Sequence, residues 1–140
     1  MHASLDEERR RFRAPETAGR ARDLTRAFLA EVAPDDREFT NAVLLVVSEL
    51  VTNAIRHAGG ATGFELRTDR GAVVVTVTDA SPLPPRPRRT PACEPGGFGW
   101  PLVLKLASKV DVRKGPEGKT VEALLSPTAE SDSSHVSPTV

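Results

Sequence analysis

The chain is poor in the residues that specialised scaffolds depend on. Its 140 residues include one cysteine, Cys93, so no internal disulfide and no cluster of thiolates around a metal can form. Tyrosine is absent and tryptophan occurs once, which leaves Trp100 as a single fluorescent reporter. An excess of either charge is missing too: 19 basic and 19 acidic residues give a formal net charge of +0. That balance argues against a protein held to nucleic acid by phosphate attraction. No apolar run approaches the roughly 18 residues that span a bilayer. Met1-His2-Ala3-Ser4 opens no signal-peptide apolar region. With 39% apolar residues, the expectation is one cytoplasmic domain with one core, bound neither to a membrane nor directly to nucleic acid.

What the chain does have is concentrated between Val46 and Ala58, V-V-S-E-L-V-T-N-A-I-R-H-A. Glu49, Asn53 and His57 recur every four residues, which stacks them along one side of a helix, with Ser48, Thr52 and Arg56 alongside. Val43, Val46, Val47, Leu50, Val51, Ala54 and Ile55 form the apolar stripe. Such a helix buries one side and turns a carboxylate, an amide and an imidazole toward a cavity. The same pattern also describes an amphipathic helix with a solvated polar face.

The flanks supply the rest of a domain. Residues 1–10 read as a disordered, charged start, followed by a short strand near Phe12. A helix is expected to open at Ala14-Pro15, to bury Ala21, Leu24, Ala27, Phe28 and Val32, to keep Arg20, Arg22 and Arg26 in water, and to stop at Pro34. Asp35 and Glu38 resemble a capping box for the central helix, which Gly59-Gly60 ends. The period then falls to two. Phe64 and Leu66, a turn at Asp69-Arg70-Gly71, and Val73 to Thr78 make a hairpin that ends in Asp79.

Residues 80–99 break the pattern, with Pro82, Pro84, Pro85, Pro87, Pro91 and Pro95. Neither a central strand nor a helix interior accepts them, and a long loop of this kind inside a small domain is usually functional. The glycines that close it run into a helix starting near Pro101. They either aim backbone N–H groups at an anion or form a flexible connection. Cys93 lies in this segment between Ala92 and Glu94, with no adjacent cation to activate it. Val110 and Val112, a turn at residues 115–118, and Lys119 to Leu125 make two further strands. Residues 126–140, with seven serines or threonines, read as a disordered tail.

In this order the pieces resemble the GHKL (Bergerat-fold) ATP-binding domains. Glu49-Leu-Val-Thr-Asn53-Ala54-Ile-Arg-His57-Ala58 resembles their N box. Asp79-Ala-Ser81-Pro82 and Gly97-Phe-Gly99-Trp-Pro-Leu102 resemble the first and second glycine-box regions, and Gly118-Lys119-Thr120 resembles the third. The short form with an arginine- and proline-rich lid is similar to the anti-sigma-factor serine/threonine kinase branch. The resemblance implies a two-layer α/β sandwich over residues 11–125, three helices against a mixed sheet, with ATP under a lid at 80–99.

It also implies roles. Asn53 holds Mg²⁺ through its amide oxygen, and Glu49 is the general base for an attacking hydroxyl. Asp79 accepts from the adenine amine with support from Thr120. Gly97, Gly99 and the helix start through Leu102 cradle the phosphates. Arg56 and His57 either face the phosphates or pack at the helix end. Two departures stand out: Ser81-Pro82 where the family usually has glycine, and the bulky Phe98 and Trp100-Pro101 at the lid base. The implied partners are a sigma factor and its antagonist protein, and a homodimer is allowed. Two functions compete: a kinase that phosphorylates the antagonist, and an ATP-dependent switch module that transfers nothing.

Overall fold

The structure is a computed structural model that describes residues 7–81 and 99–127. The expected lid, with Gly97, Phe98 and Cys93, and the tail from 128 onward lie outside the described residues.

Strand β1 (Arg9–Phe12) is followed by helices α1 (Ala18–Val32) and α2 (Arg37–Ala58) and by the hairpin β2 (Ala61–Asp69) and β3 (Ala72–Asp79). Helix α3 (Gly99–Leu106) then leads to the hairpin β4 (Lys109–Gly115) and β5 (Gly118–Leu125). The five strands form one sheet in the order β1-β2-β3-β5-β4, and the three helices cover one of its faces. The sheet was expected to be mixed; each of its four pairings is antiparallel instead. Two tight hairpins and a β5 strand inserted between β3 and β4 leave no parallel neighbours. At the β2–β3 turn Arg70 and Gly71 both take positive φ (54° and 88°), the conformation that fits a two-residue hairpin to the sheet's twist.

Strand β1 starts two residues before the expected domain boundary at 11, because the backbone of Arg9 and Arg10 pairs with Arg67 and Leu66. Helix α1 starts later than Pro15 suggests. Thr17 caps it, its Oγ1 accepting from the Arg20 N–H at 3.0 Å. Its buried face is Ala21, Thr25, Phe28 and Leu29; Ala27 is exposed, and half-buried Arg22 turns inward to α2. Asp36, not Asp35, caps α2 by accepting from the Phe39 N–H at 2.9 Å, so Glu38 falls one position short of a capping box. The C-terminus of α2 follows expectation: Gly59 is left-handed (φ 78°), and the Gly60 N–H reaches back to the Ala54 carbonyl at 2.9 Å.

Averaged over 18 residues α2 has a mean hydropathy of 1.3, and among the described residues it alone is long and apolar enough to cross a membrane. That apolar side faces the domain's own core. Phe39, Val43, Val46, Val47, Leu50, Val51 and Ala54 are buried against Phe64, Leu66, Val73, Val75 and Val77 of the sheet. Ile55, expected in this stripe, is 38% exposed, since the stripe narrows in the last turn beyond the sheet. The opposite face of the sheet is polar. It carries ion pairs between Arg9, Arg11 and Glu65 and between Arg113 and Glu122, most of them well exposed and each worth little alone.

Candidate functional site

The side of α2 that turns away from its apolar stripe holds Glu49 and Asn53, one turn apart and both half-buried. Their surroundings leave them differently placed from ordinary surface residues. Burial pushes the Glu49 carboxyl above the usual glutamate range, because partial removal from water disfavours the charged form. Asn53 Oδ1 is buried and has no hydrogen-bond partner among the described residues. An orphaned buried acceptor costs about 1–3 kcal/mol, a cost that a bound ion or water would relieve; Thr76 Oγ1 in the sheet is a second such atom among the described residues.

Gly99, at the first turn of α3, meets Glu49. A Cβ built at Gly99 would lie 2.8 Å from Glu49 Oε1, closer than real side chains approach. Glycine therefore lets the α3 backbone come against the carboxylate. The first N–H groups of a helix have no partner within the helix, and here that end lies beside Glu49. Leu102 and Trp100 are half-buried on α3, Trp100 packing on the core and Val103 fully within it. The structure thus brings Glu49, Asn53 and Gly99 into one region. Gly97 lies outside the described residues. Arg56 and His57 are exposed at the end of α2. Sequence reasoning missed Arg22, whose Nη1 donates to Ser48 Oγ at 3.0 Å and ties α1 to the turn of α2 that carries Glu49.

The ends of β3 and β5 carry the other expected site residues, Asp79 and Thr120. Asp79 is buried on the helix-facing side of the sheet, in phase with Val73, Val75 and Val77. Its carboxylate is already bonded twice. Oδ1 accepts from the Ser81 N–H at 2.9 Å, and Oδ2 accepts from Lys119 Nζ at 2.8 Å, with both side chains about 95% buried. Register explains the pair: Asp79 lies directly opposite Lys119 across the β3–β5 ladder.

Thr120, expected to support Asp79, does not share its face. One residue further along a strand, it points to the opposite side of the sheet, where its Oγ1 lies 3.2 Å from Thr78 Oγ1. Gly118 allows the close approach before Lys119. Its φ is 146°, and a Cβ there would come 1.9 Å from the Asp79 carbonyl oxygen. A cavity of about 370 Å³ borders this end of the sheet, lined by Asp79 and Lys119, by Thr62, Thr78 and Thr120, and by the β4–β5 turn from Arg113 to Gly118, with no residue of α2 or α3.

As a whole the site can hold a hard cation on an amide oxygen, move a proton at a desolvated carboxylate, and present helix N–H groups to an anion. Among the described residues no three His, Cys, Asp or Glu side chains gather into a metal-binding cluster. One protein oxygen beside ligand phosphates and water is the arrangement that magnesium commonly takes.

Comparison with known proteins bears on the fold. The structure is similar to that of the RsbU and RsbW domains of Rv1364c from Mycobacterium tuberculosis, with a TM-score of 0.62 and 19% identity. The match covers 86% of this chain and 32% of that one, so the chain spans about a third of the length of that solved chain. It is also similar to the histidine kinase domain of the blue-light activated histidine kinase EL346 from Erythrobacter litoralis. That match has 18% identity and a TM-score of 0.48, over 86% of this chain and 67% of that one. No curated protein matches the chain significantly in sequence. The family model described as "Histidine kinase-like ATPase domain" matches residues 13–125, from the end of β1 to the end of β5. The chain belongs to the histidine kinase-like ATPase (GHKL) domain family.

Proposed function

We propose that the chain binds Mg·ATP at the α2–α3 region and acts as a protein serine/threonine kinase of the anti-sigma-factor type. It would phosphorylate an antagonist protein and hold a sigma factor in the cytoplasm while that antagonist is phosphorylated. The observation that carries this reading is the pairing of Asn53 and Glu49 on one side of α2. One has a buried oxygen without a partner, and the other is a carboxylate held partly out of water. A module that only sensed nucleotide would have no use for a desolvated base beside its metal ligand.

When bound, ATP supplies the phosphoryl group and Mg²⁺ neutralises its charge. Asn53 Oδ1 would hold the metal. Glu49 would orient the attacking serine or threonine hydroxyl and take its proton as the hydroxyl oxygen bonds to the γ-phosphorus and ADP leaves. Burial raises its proton affinity and favours that proton transfer. The N-terminal turn of α3 at Gly99 stabilises the phosphate oxygens, with Leu102 and Trp100 forming its apolar wall. The fold likeness to the RsbW-containing protein is consistent with this role. The deciding experiment is incubation with radiolabelled ATP and candidate antagonist proteins, with label on a serine or threonine as the expected result.

A second reading is a partner-switching module that binds ATP and transfers no phosphate. Under that reading the partner binds in an ATP-dependent way and no label is transferred.

A further inference from the structure

We propose that Lys119 is an internal occupant of the base-reading subsite, which competes with the nucleobase for Asp79 and lowers nucleotide affinity. The inference rests on the reading above that this region takes a nucleotide.

Three observations place Lys119 there. In β5 it alternates in phase with Val121, Ala123 and Leu125, all buried, so it belongs to the helix-facing side although it carries a charge. It stands directly opposite Asp79 in the ladder, and Gly118 lets the strand close against the Asp79 backbone. Finally, its Nζ lies 2.8 Å from Asp79 Oδ2 with both side chains out of water.

An amine of a purine recognises a carboxylate because the acceptor is charged, which about doubles the strength of the hydrogen bond. An ammonium at contact distance cancels that charge and takes a lone pair on Oδ2, while the Ser81 N–H takes one on Oδ1. The base must then share or displace Lys119. Both residues also border the cavity toward the β4–β5 turn, the direction in which a displaced Lys119 would move. Removing the ammonium should therefore tighten binding of the base and leave the triphosphate contacts alone.

The test is calorimetry on the full chain with Mg·ATP, adenosine and inorganic tripolyphosphate, for the wild type, Lys119→Met and Lys119→Gln. Methionine keeps the aliphatic stem and removes the charge. Glutamine keeps a weaker, neutral donor to Asp79 and guards against a methionine variant that fails to fold. ATP and adenosine are expected to bind Lys119→Met about tenfold more tightly or better, with Lys119→Gln in between. Tripolyphosphate should change by less than about twofold, because the substituted group lies at the base end. Equal or weaker binding of ATP and adenosine in the folded variants would overturn the inference, showing that Lys119 helps or ignores the base. If none of the three proteins bound ATP, the nucleotide-site reading itself would fall, and the inference with it. Tighter tripolyphosphate binding in step with ATP would also overturn it, by placing the effect at the phosphates.

Discussion

The two ends of the site treat their polar groups in opposite ways. On α2, Asn53 Oδ1 is buried without a partner among the described residues, and Glu49 is half out of water. At the β3–β5 end, Asp79 is buried with both oxygens bonded and a full counter-charge in contact. The first end bears a folding cost that a bound metal and substrate would relieve. The second bears none of that kind and would have to give something up. From this contrast the metal and catalytic functions are best sought on α2, and the control of affinity at the strand ends.

The largest effect expected concerns catalysis. Glu49→Ala should lower phosphate transfer by about 10²–10⁴-fold while nucleotide binding stays within a few-fold, since a general base acts in the transition state. Label incorporation beside calorimetry checks it. Undiminished transfer would return Glu49 to the role of a solvated helix residue.

Next is stability at the paired end. Lys119→Ala leaves Asp79 as a buried charge without its partner, which costs about 3–5 kcal/mol when a buried pair is broken from one side. Denaturant unfolding measures it. A loss under about 1 kcal/mol would mean that water reaches Asp79 and that the contrast between the two ends is overdrawn.

The same measurement on Asn53→Ala should give the opposite sign. Removing an orphaned buried oxygen relieves its desolvation cost, so the free protein should hold steady or gain up to about 1 kcal/mol. A clear loss of stability would reveal a partner for Asn53 in the folded chain.

The smallest effect follows from burial of Glu49. Its folded-state proton affinity is raised, so the ionised carboxylate works against folding at pH values above that raised range. The penalty disappears as pH falls through it. Glu49→Gln should therefore be slightly more stable than wild type near pH 8, and the gap should close on acidification. Thermal unfolding across pH checks the trend; a gap independent of pH would exclude desolvation as its cause.

Much of the α2 end was legible in the sequence, because a helix carries its own phase. Four-residue spacing alone puts Glu49 and Asn53 on one side, and Gly59 marks the stop. Cap positions were less so. Asp35 and Asp36 are chemically equal as caps, and which of them accepts from the Phe39 N–H is set by where the helix starts, not by residue type. Pro15 likewise suggested an earlier start than the Thr17 cap allows.

The strand end misled for a different reason. Asp79 and Lys119 are 40 residues apart, and nothing local states the register between their strands. The glycine motif drew attention to Thr120. Yet the alternation through Val121, Ala123 and Leu125 already placed Lys119, not Thr120, on the buried face. Extending that phase one step to meet the Val73, Val75, Val77 and Asp79 series would have found the pair. The antiparallel sheet was hidden similarly, since strand order across the α3 connection depends on packing rather than on pattern.

The central claim is that Asn53 holds the metal of a bound Mg·ATP, and one measurement addresses it directly. ATP affinity is determined by calorimetry with excess Mg²⁺ and with EDTA, for wild type and Asn53→Ala. The account expects wild type to bind ATP more tightly with Mg²⁺, by about tenfold or more, as the loss of a metal ligand or its orienting contacts typically costs. Asn53→Ala should lose that magnesium dependence while keeping its fold. Equal dependence on magnesium in the two proteins would contradict the account.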